Sequence, residues 1–297
     1  MKKTLAMMTA AMMVAGALAG CGSSSSTPAA TTAAATEAAT TAAAATDAAT
    51  TEAGDTAAAA EGTVKTPSGK FTVGFDQEFP PMGFVGDDGQ FTGFDLELAK
   101  EVASRLGLEF VPQPINWDAK DMELDSGNID CIWNGFTMQG REDDYTWVGP
   151  YMANNQVFVV TADSDIASKA DLAGKAVEVQ KDSSGLAALQ GDAELSASFG
   201  SMTEVADYNT ALMDLESGAC DAVCMDSIVA GYQIKSSGKD MKILDDTLSA
   251  EEYGIGFKKG EDELAKAVHD TLMEMKDDGT VAKISNDWFG SDVFTLK

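Results

Sequence analysis

Two stretches of the chain, MELDSGNIDCIWNG (122–135) and MDLESGACDAVCMD (213–226), read almost alike. At a constant offset of 91 residues they share Met122/Met213, Leu124/Leu215, Ser126/Ser217, Gly127/Gly218 and Asp130/Asp221. In each copy a helix-like run ends at Ser-Gly and a short apolar strand follows. The spacing predicts a helix over 118–126 with a strand over 129–134, then a helix over 209–217 with a strand over 221–225. Gly127 and Gly218 fall at the helix C-caps, where glycine accepts the left-handed conformation at little cost. Each copy is thus an αβ unit feeding a parallel sheet, and the repeat predicts two lobes of one architecture.

The same alternation extends along the chain. Strands are expected at 71–75, 109–111, 156–161, 176–180 and 253–257. A helix over 96–106 carries Leu98, Val102 and Leu106 on one face with Asp95 as its N-cap, and another over 261–277 is closed by Gly279. Strands alternating with helices mean an α/β fold. In open α/β sheets ligands gather at the carboxyl ends of strands. The offset sets Gly135 opposite Asp226, each just past its strand, so each lobe offers one polar contact to a shared cleft.

The ends of the chain bear on where it works. Lys2 and Lys3 precede an uncharged apolar run over 4–19, too short to span a bilayer comfortably and ending in small residues as a secretory leader does. Leu18-Ala19-Gly20-Cys21 resembles the bacterial lipobox, which implies cleavage before Cys21, a lipid on that cysteine and a place on the outer face of the cytoplasmic membrane. Residues 22–63 are almost wholly Ala, Thr and Ser with scattered acids and no aromatic side chain, so a disordered tether over 21–63 is expected, after a leader over 1–20. Without the leader the chain carries 18 basic against 48 acidic side chains, which makes nucleic acid an unlikely partner. Cys131, Cys220 and Cys224 lie in or beside apolar runs as small buried hydrophobes, and His269 sits on a helix face, so neither a disulfide framework nor a metal site is expected.

Four segments carry a more specific signal: TVGFDQEFPPMGF (72–84), GFDLELA (93–99), GFTMQGRE (135–142) and Asp226 after the second apolar strand. With Asp277-Asp-Gly-Thr and Trp288-Phe-Gly near the end, they resemble the extracellular solute-binding proteins (family 3) of ABC importers for polar amino acids. The resemblance implies a two-lobed, type II periplasmic-binding-protein-like α/β fold, each lobe a sheet flanked by helices, joined by two crossover strands. Lobe one is then 64–153 plus 251–297 and lobe two 154–250, with hinges at 151–156 and 251–254. It also implies no catalytic residue, no cofactor, a free amino acid ligand, permease subunits with a separate ATPase, and a monomeric binder.

Carried over position by position, Arg141 grips the ligand carboxylate, a task suited to a planar guanidinium. Thr137 adds a hydroxyl and a backbone N–H, and Ser183 and Ser184 stand at a helix start where free N–H groups favour an anion. Asp226 and the carbonyl of Gly135 accept from the ammonium. Asp76 takes a donor on the ligand side chain or assists the ammonium, Phe79 and Trp117 sandwich the aliphatic part, and Phe136 and Gln180 complete the set. Residue by residue there are plainer readings: Arg141 in a surface ion pair with the acids that follow it, Asp226 as a helix N-cap, Phe79 and Trp117 as core. Two departures from the family pattern stand out. The turn before Arg141 is one residue shorter than is common, and Met225 stands where some members have a polar residue. Other classes on the same fold are a cyclohexadienyl-dehydratase-like enzyme, with Asp76 or Glu78 as acid or base, and an amino-acid-sensing lipoprotein. Glutamine, histidine, arginine, lysine and cystine are all compatible ligands, with a lean toward a neutral polar or basic one.

Overall fold

The computed structural model describes residue 66 and residues 68–297; the expected leader, Cys21 and the Ala/Thr/Ser-rich segment lie outside the described residues. The chain opens with β1 (Lys70–Phe75), a small antiparallel sheet of β2 (Glu78–Phe79), β3 (Gly83–Val85) and β4 (Phe91–Thr92), and helix α1 (Phe94–Leu106). β5 (Glu109–Pro114), a 3₁₀ turn at Trp117–Ala119, α2 (Lys120–Ser126) and β6 (Cys131–Thr137) follow. Then come the long β7 (Tyr145–Thr161), β8 (Ala176–Gln180), α3 (Ser184–Gly191), α4 (Ala193–Ser198), β9 (Ser201–Val205) and α5 (Tyr208–Ser217). The chain ends with β10 (Ala222–Asp226), α6 (Ser227–Ser237), β11 (Met241–Ile243), β12 (Ser249–Lys258), α7 (Asp262–Asp277) and α8 (Thr280–Phe289).

One mixed sheet runs in the order β5-β1-β6-β12-β7-β10-β8-β9, with β11 paired to β7. β1 is parallel to β5 and β6, and β8 is parallel to β9 and β10. Between these two parallel groups run β7 and β12, antiparallel to each other and to their outer neighbours. These two strands alone link the groups, so the fold is two-lobed with a double crossover. The larger hydrophobic core packs α1, α5, α7 and α8 on the sheet, and a second core gathers Phe158, Leu172, Val177, Val179, Leu186 and Leu189 beneath α3. No helix among the described residues is long and apolar enough to cross a membrane.

The internal repeat has one physical meaning in both copies. Gly127 and Gly218 cap α2 and α5 at φ 76° and φ 77°, and Asn128 and Ala219 each donate back to the carbonyl five residues earlier, at 3.0 and 2.8 Å. The repeated aspartates then stitch each new strand to its parallel neighbour. Asp130 Oδ2 accepts from Thr72 N at 2.6 Å, and Asp221 Oδ2 accepts from Ala176 N at 2.8 Å. Each aspartate N–H also donates to the same neighbour residue's carbonyl, at 2.8 Å in both copies. The repeat encodes helix stop and strand register, while Leu124 and Leu215 supply the buried contact.

Two local expectations are corrected. Gly93, not Asp95, sits at the N-cap of α1; Asp95 lies inside the first turn, fully buried, with Oδ2 accepting from Gly135 N at 2.7 Å and from Tyr151 OH at 2.8 Å. β7 starts eleven residues before the expected strand. Its Gly149-Pro150 step falls in a bulge opposite Gly254, where a residue without an N–H breaks no ladder bond. α7 ends at Asp277, and Gly279, at φ 85° just past its C-cap, donates to Lys276 O at 3.3 Å as the expected stop and also leads into α8.

Candidate functional site

The carboxyl ends of three strands meet in one place. Thr137 is the last residue of β6, Gln180 of β8 and Asp226 of β10. Around them stand Phe79 of β2, Trp117 of the 3₁₀ turn, Gly135 of β6, Ser183 and Ser184 at the head of α3, and Arg141 beyond the turn after β6. These nine residues line one small cavity between the two strand groups. Nine of the eleven candidate residues are thus brought to one cavity from sequence positions up to 147 apart.

One side of the cavity is cationic. The guanidinium of Arg141 stacks 5.1 Å above the Phe136 ring. It donates to Thr137 O at 3.3 Å and Asp182 O at 3.4 Å, both carbonyl oxygens. Among the described residues it forms no ion pair, whereas Arg105 is bound to Glu101 and Asp278. The surface ion pair that Glu142, Asp143 and Asp144 offered is not formed, so a charged group with five donors faces only neutral oxygens. Beside it Ser183 caps α3, its hydroxyl accepting from Leu186 N at 3.1 Å, so it is at once a helix cap and part of the cavity wall.

The other side is anionic and buried. Asp226 is 3% exposed and occupies the N-cap position of α6 without a side-chain cap bond. Its carboxylate turns inward instead, accepting from Asn154 Nδ2 and Tyr253 OH at 2.7 Å and from Tyr208 OH at 3.0 Å. Burial, and then the Glu251 carboxylate nearby, push its proton affinity well above the usual carboxylate range. Gly135, at φ +57°, completes this side; a Cβ there would stand 2.9 Å from the Phe79 ring.

Two candidates stand back from the cavity. Phe136 is fully buried among Trp117, Tyr145 and Trp147 and acts as the floor under Arg141. Asp76 faces an outer groove, its Oδ2 held by Gln180 Nε2 at 2.7 Å and its Oδ1 by Glu78 N at 2.9 Å. Burial raises its pKa to about 6 despite those bonds. Further ties cross between the two strand groups around the cavity: Lys181 to Asp118 at 2.6 Å, Lys120 to Asp182, Asn209 to Glu78, and Thr137 to Ser184 at 3.2 Å. They hold the cleft closed.

Sequence reasoning missed Asn154, Gln156, Tyr208, Glu251 and Tyr253, all buried and all bonded to one another or to site residues. The available signal was polarity in strand positions: Asn154-Asn155-Gln156 interrupts an otherwise apolar run, while Glu251 stands just ahead of the apolar stretch 253–257. The cysteines and the histidine take no part in the cavity lining. Cys131, Cys220 and Cys224 are free and buried. His269 lies on α7 against Asp270 and the Lys297 carbonyl, away from the cavity lining. Among the described residues no group of three or more His, Cys, Asp or Glu is placed to hold a metal ion.

The cavity thus lies between two α/β lobes, with a cation at one side and a buried acid at the other. Residues 71–291 fit the model of the bacterial extracellular solute-binding proteins, family 3. The chain belongs to this family. It is 32% identical over 231 residues to the L-cystine-binding protein TcyJ of Escherichia coli K12, covering 76% of this chain and 84% of that protein. The L-cystine-binding protein TcyA of Bacillus subtilis 168 is 33% identical over 229 residues, 76% of this chain and 83% of that one. Among solved structures, the substrate-binding protein of an ABC uptake transporter from Streptococcus pneumoniae, with bound histidine, superposes at a TM-score of 0.74. It is 34% identical, covering 77% of this chain and 95% of that chain. These family 3 relatives are amino-acid-binding proteins, and the fold is that of the type II periplasmic binding proteins.

Proposed function

We propose that this family 3 protein captures a free polar amino acid in the cavity and delivers it to the permease of an ABC importer, whose ATPase is a separate subunit. The observation that carries this reading is the opposition of charges across one small cavity. Arg141, with no carboxylate partner among the described residues, stands at one side and the buried Asp226 at the other. An α-amino acid zwitterion presents the complementary pair. Arg141 with the N–H groups at the head of α3 takes the carboxylate, and Asp226 with the Gly135 carbonyl takes the ammonium. Phe79 and Trp117 flank the aliphatic part, and Gln180 bounds the side-chain end.

The lining favours a ligand with a neutral side chain. Asp226 is the one acid on the cavity wall, and Asp76, the other candidate acid, is tied to Gln180. Two relatives that bind L-cystine support the same direction. The lobes are 64–153 plus 251–297 and 154–250, and hinge motion at 151–156 and 251–254 opens the cleft. Ligand contacts to both lobes shift the population toward the closed form, which the permease reads. No bond is made or broken, so the chain is not an enzyme, needs no cofactor and works as a monomer. It is held by lipid on Cys21 to the outer face of the bacterial cytoplasmic membrane, at the end of a tether.

The test is a thermal-shift screen of the full chain, unfolded and refolded to strip bound ligand, against the twenty common L-amino acids and L-cystine. A ligand of the native state raises apparent stability by about 2.7 kcal/mol at one hundred times its Kd. A clear shift with one or two neutral polar amino acids is expected. A folded protein that no amino acid shifts, or one that dehydrates prephenate or arogenate, would overturn the reading.

A further inference from the structure

Glu251, a residue of β12, is 6% exposed and does not line the cavity, yet its Oε1 is the most heavily used acceptor near it. It accepts from Asn154 Nδ2 at 2.6 Å, Gln156 Nε2 at 2.8 Å, Thr137 Oγ1 at 2.9 Å and Ser184 Oγ at 3.3 Å. A second buried acid, Asp226, lies on the far side of the same Asn154 amide, whose Nδ2 also donates to Asp226 Oδ1 at 2.7 Å. Two buried acids held around one amide would be costly if structure were their only role, because each carboxylate must be desolvated.

Counting protons assigns a direction to each bond. Asn154 Nδ2 has two protons, one for Asp226 and one for Glu251. Gln156 Nε2 likewise divides its two between Ser184 Oγ, at 3.0 Å, and Glu251. Thr137 has a single hydroxyl proton, and a carboxylate oxygen at 2.9 Å claims it over the Ser184 hydroxyl at 3.2 Å, since bonds to a charged acceptor are the stronger. Thr137 Oγ1 is then left with lone pairs, on a residue that lines the cavity beside Gly135 and Asp226.

We infer that Glu251 is a positioning residue for ammonium recognition: by taking the Thr137 hydroxyl proton, it presents that hydroxyl to the cavity as an acceptor. The inference rests on the reading of the cavity as an amino-acid site. It adds a third acceptor, Thr137 Oγ1, to Asp226 and the Gly135 carbonyl, one for each proton of a primary ammonium. Without an acceptor at position 251 the hydroxyl is free to turn its proton inward, where it opposes the ammonium instead of binding it.

The test compares Glu251→Met, Glu251→Gln, Thr137→Val and the Thr137→Val/Glu251→Met double variant in the full chain by isothermal calorimetry. The probes are L-cystine and L-histidine and their counterparts without amino groups, dithiodipropionate and imidazolepropionate. Glu251→Met is expected to weaken the amino acid about tenfold or more and its counterpart little, as loss of a hydrogen bond to a charged group requires. Glu251→Gln, which keeps an acceptor oxygen, stays within about threefold of wild type. Thr137→Val loses as much as Glu251→Met, and the double variant is no worse than either, because both act through one hydroxyl.

Additive losses, or equal weakening of both members of a pair, would overturn the inference. Should Glu251→Met fail to fold, Glu251→Gln and Thr137→Val decide: selectivity must survive in the first and fall in the second. If wild type binds neither probe, the pair is replaced by the amino acid that gives the largest thermal shift and its counterpart without the amino group; if no amino acid binds, the site reading fails and this inference with it. If wild type binds and the selective loss is absent, only the inference fails.

Discussion

Replacing Asp226 with asparagine keeps the shape of the side chain and removes its charge. In the folded protein its carboxylate accepts from Asn154, Tyr253 and Tyr208. Asparagine keeps one oxygen for Asn154 and Tyr253, and its amide meets the Tyr208 hydroxyl, which can turn to accept. The change also removes a buried charge beside Glu251. Ligand-free stability is therefore expected to stay within about 1 kcal/mol of wild type, the worth of one hydrogen bond. Binding is a different matter, because Asp226 is the one acid on the cavity wall. Removing one partner of a buried charge pair costs about 3–5 kcal/mol, which is a hundredfold or more in Kd. At one hundred times the wild-type Kd, ligand adds about 2.7 kcal/mol to wild type but only about 0.4 kcal/mol to a variant that binds a hundredfold more weakly. For a body of this size each kcal/mol moves Tm about 2–4 °C. The thermal-shift assay should thus read about 5–11 °C for wild type and about 1 °C for Asp226→Asn, at nearly equal ligand-free Tm. An undiminished shift in the variant would refute the ammonium assignment; a large fall in ligand-free Tm would refute the argument that the acid serves the ligand more than the fold.

Arg141→Lys is expected to weaken binding at least tenfold by calorimetry, since a point charge cannot form two parallel bonds to a carboxylate, while changing the ligand-free Tm little, because the Arg141 side chain holds two long bonds to carbonyls and a place over the Phe136 ring that a lysine cation also takes. Asp221→Ala should cost about 1–2 kcal/mol in urea unfolding with affinity untouched, because its carboxylate stitches β10 to β8 far from ligand. The pH dependence of the ligand-free protein follows from Asp76, Asp95 and Asp226, whose pKa values burial raises to about 6, about 7 and about 7. Carboxyls that hold protons more tightly when folded contribute stability below their unfolded pKa of about 4, and lose it as pH rises through the folded values. Denaturant midpoints should therefore fall between about pH 4 and pH 7, and Asp95→Asn should flatten that slope; a slope unchanged by Asp95→Asn would contradict the assignment.

Much of the fold was legible because it rests on local signals. The repeated Ser-Gly with its Asp three residues on specifies a left-handed helix stop and a strand register, and both copies fold as that pattern requires. The cavity walls were legible through the family resemblance, which brought Phe79, Trp117, Gly135, Thr137, Arg141, Gln180, Ser183, Ser184 and Asp226 together before any geometry. What escaped was whatever depends on long-range placement. Asp95 reads as a helix cap because Asp is a good one, yet Gly93 takes that position and Asp95 is spent on the Gly135 N–H. Asp76 reads as a cleft acid, and nothing nearby in sequence signals that Gln180, on β8, ties it up. Glu251 and Asn154 lie on the two crossing strands, 97 positions apart, and only the antiparallel pairing of β7 with β12 makes them neighbours.

The central claim is that one amino acid lies across this cavity with its carboxylate toward Arg141 and its ammonium toward Asp226. A crystal structure of the full chain with the amino acid that gives the largest thermal shift tests it most directly. The account predicts the carboxylate in bidentate contact with Arg141 and near the head of α3, and the ammonium bonded to Asp226, the Gly135 carbonyl and Thr137 Oγ1. A ligand bound in the reverse sense, or in the outer groove beside Asp76, would contradict it.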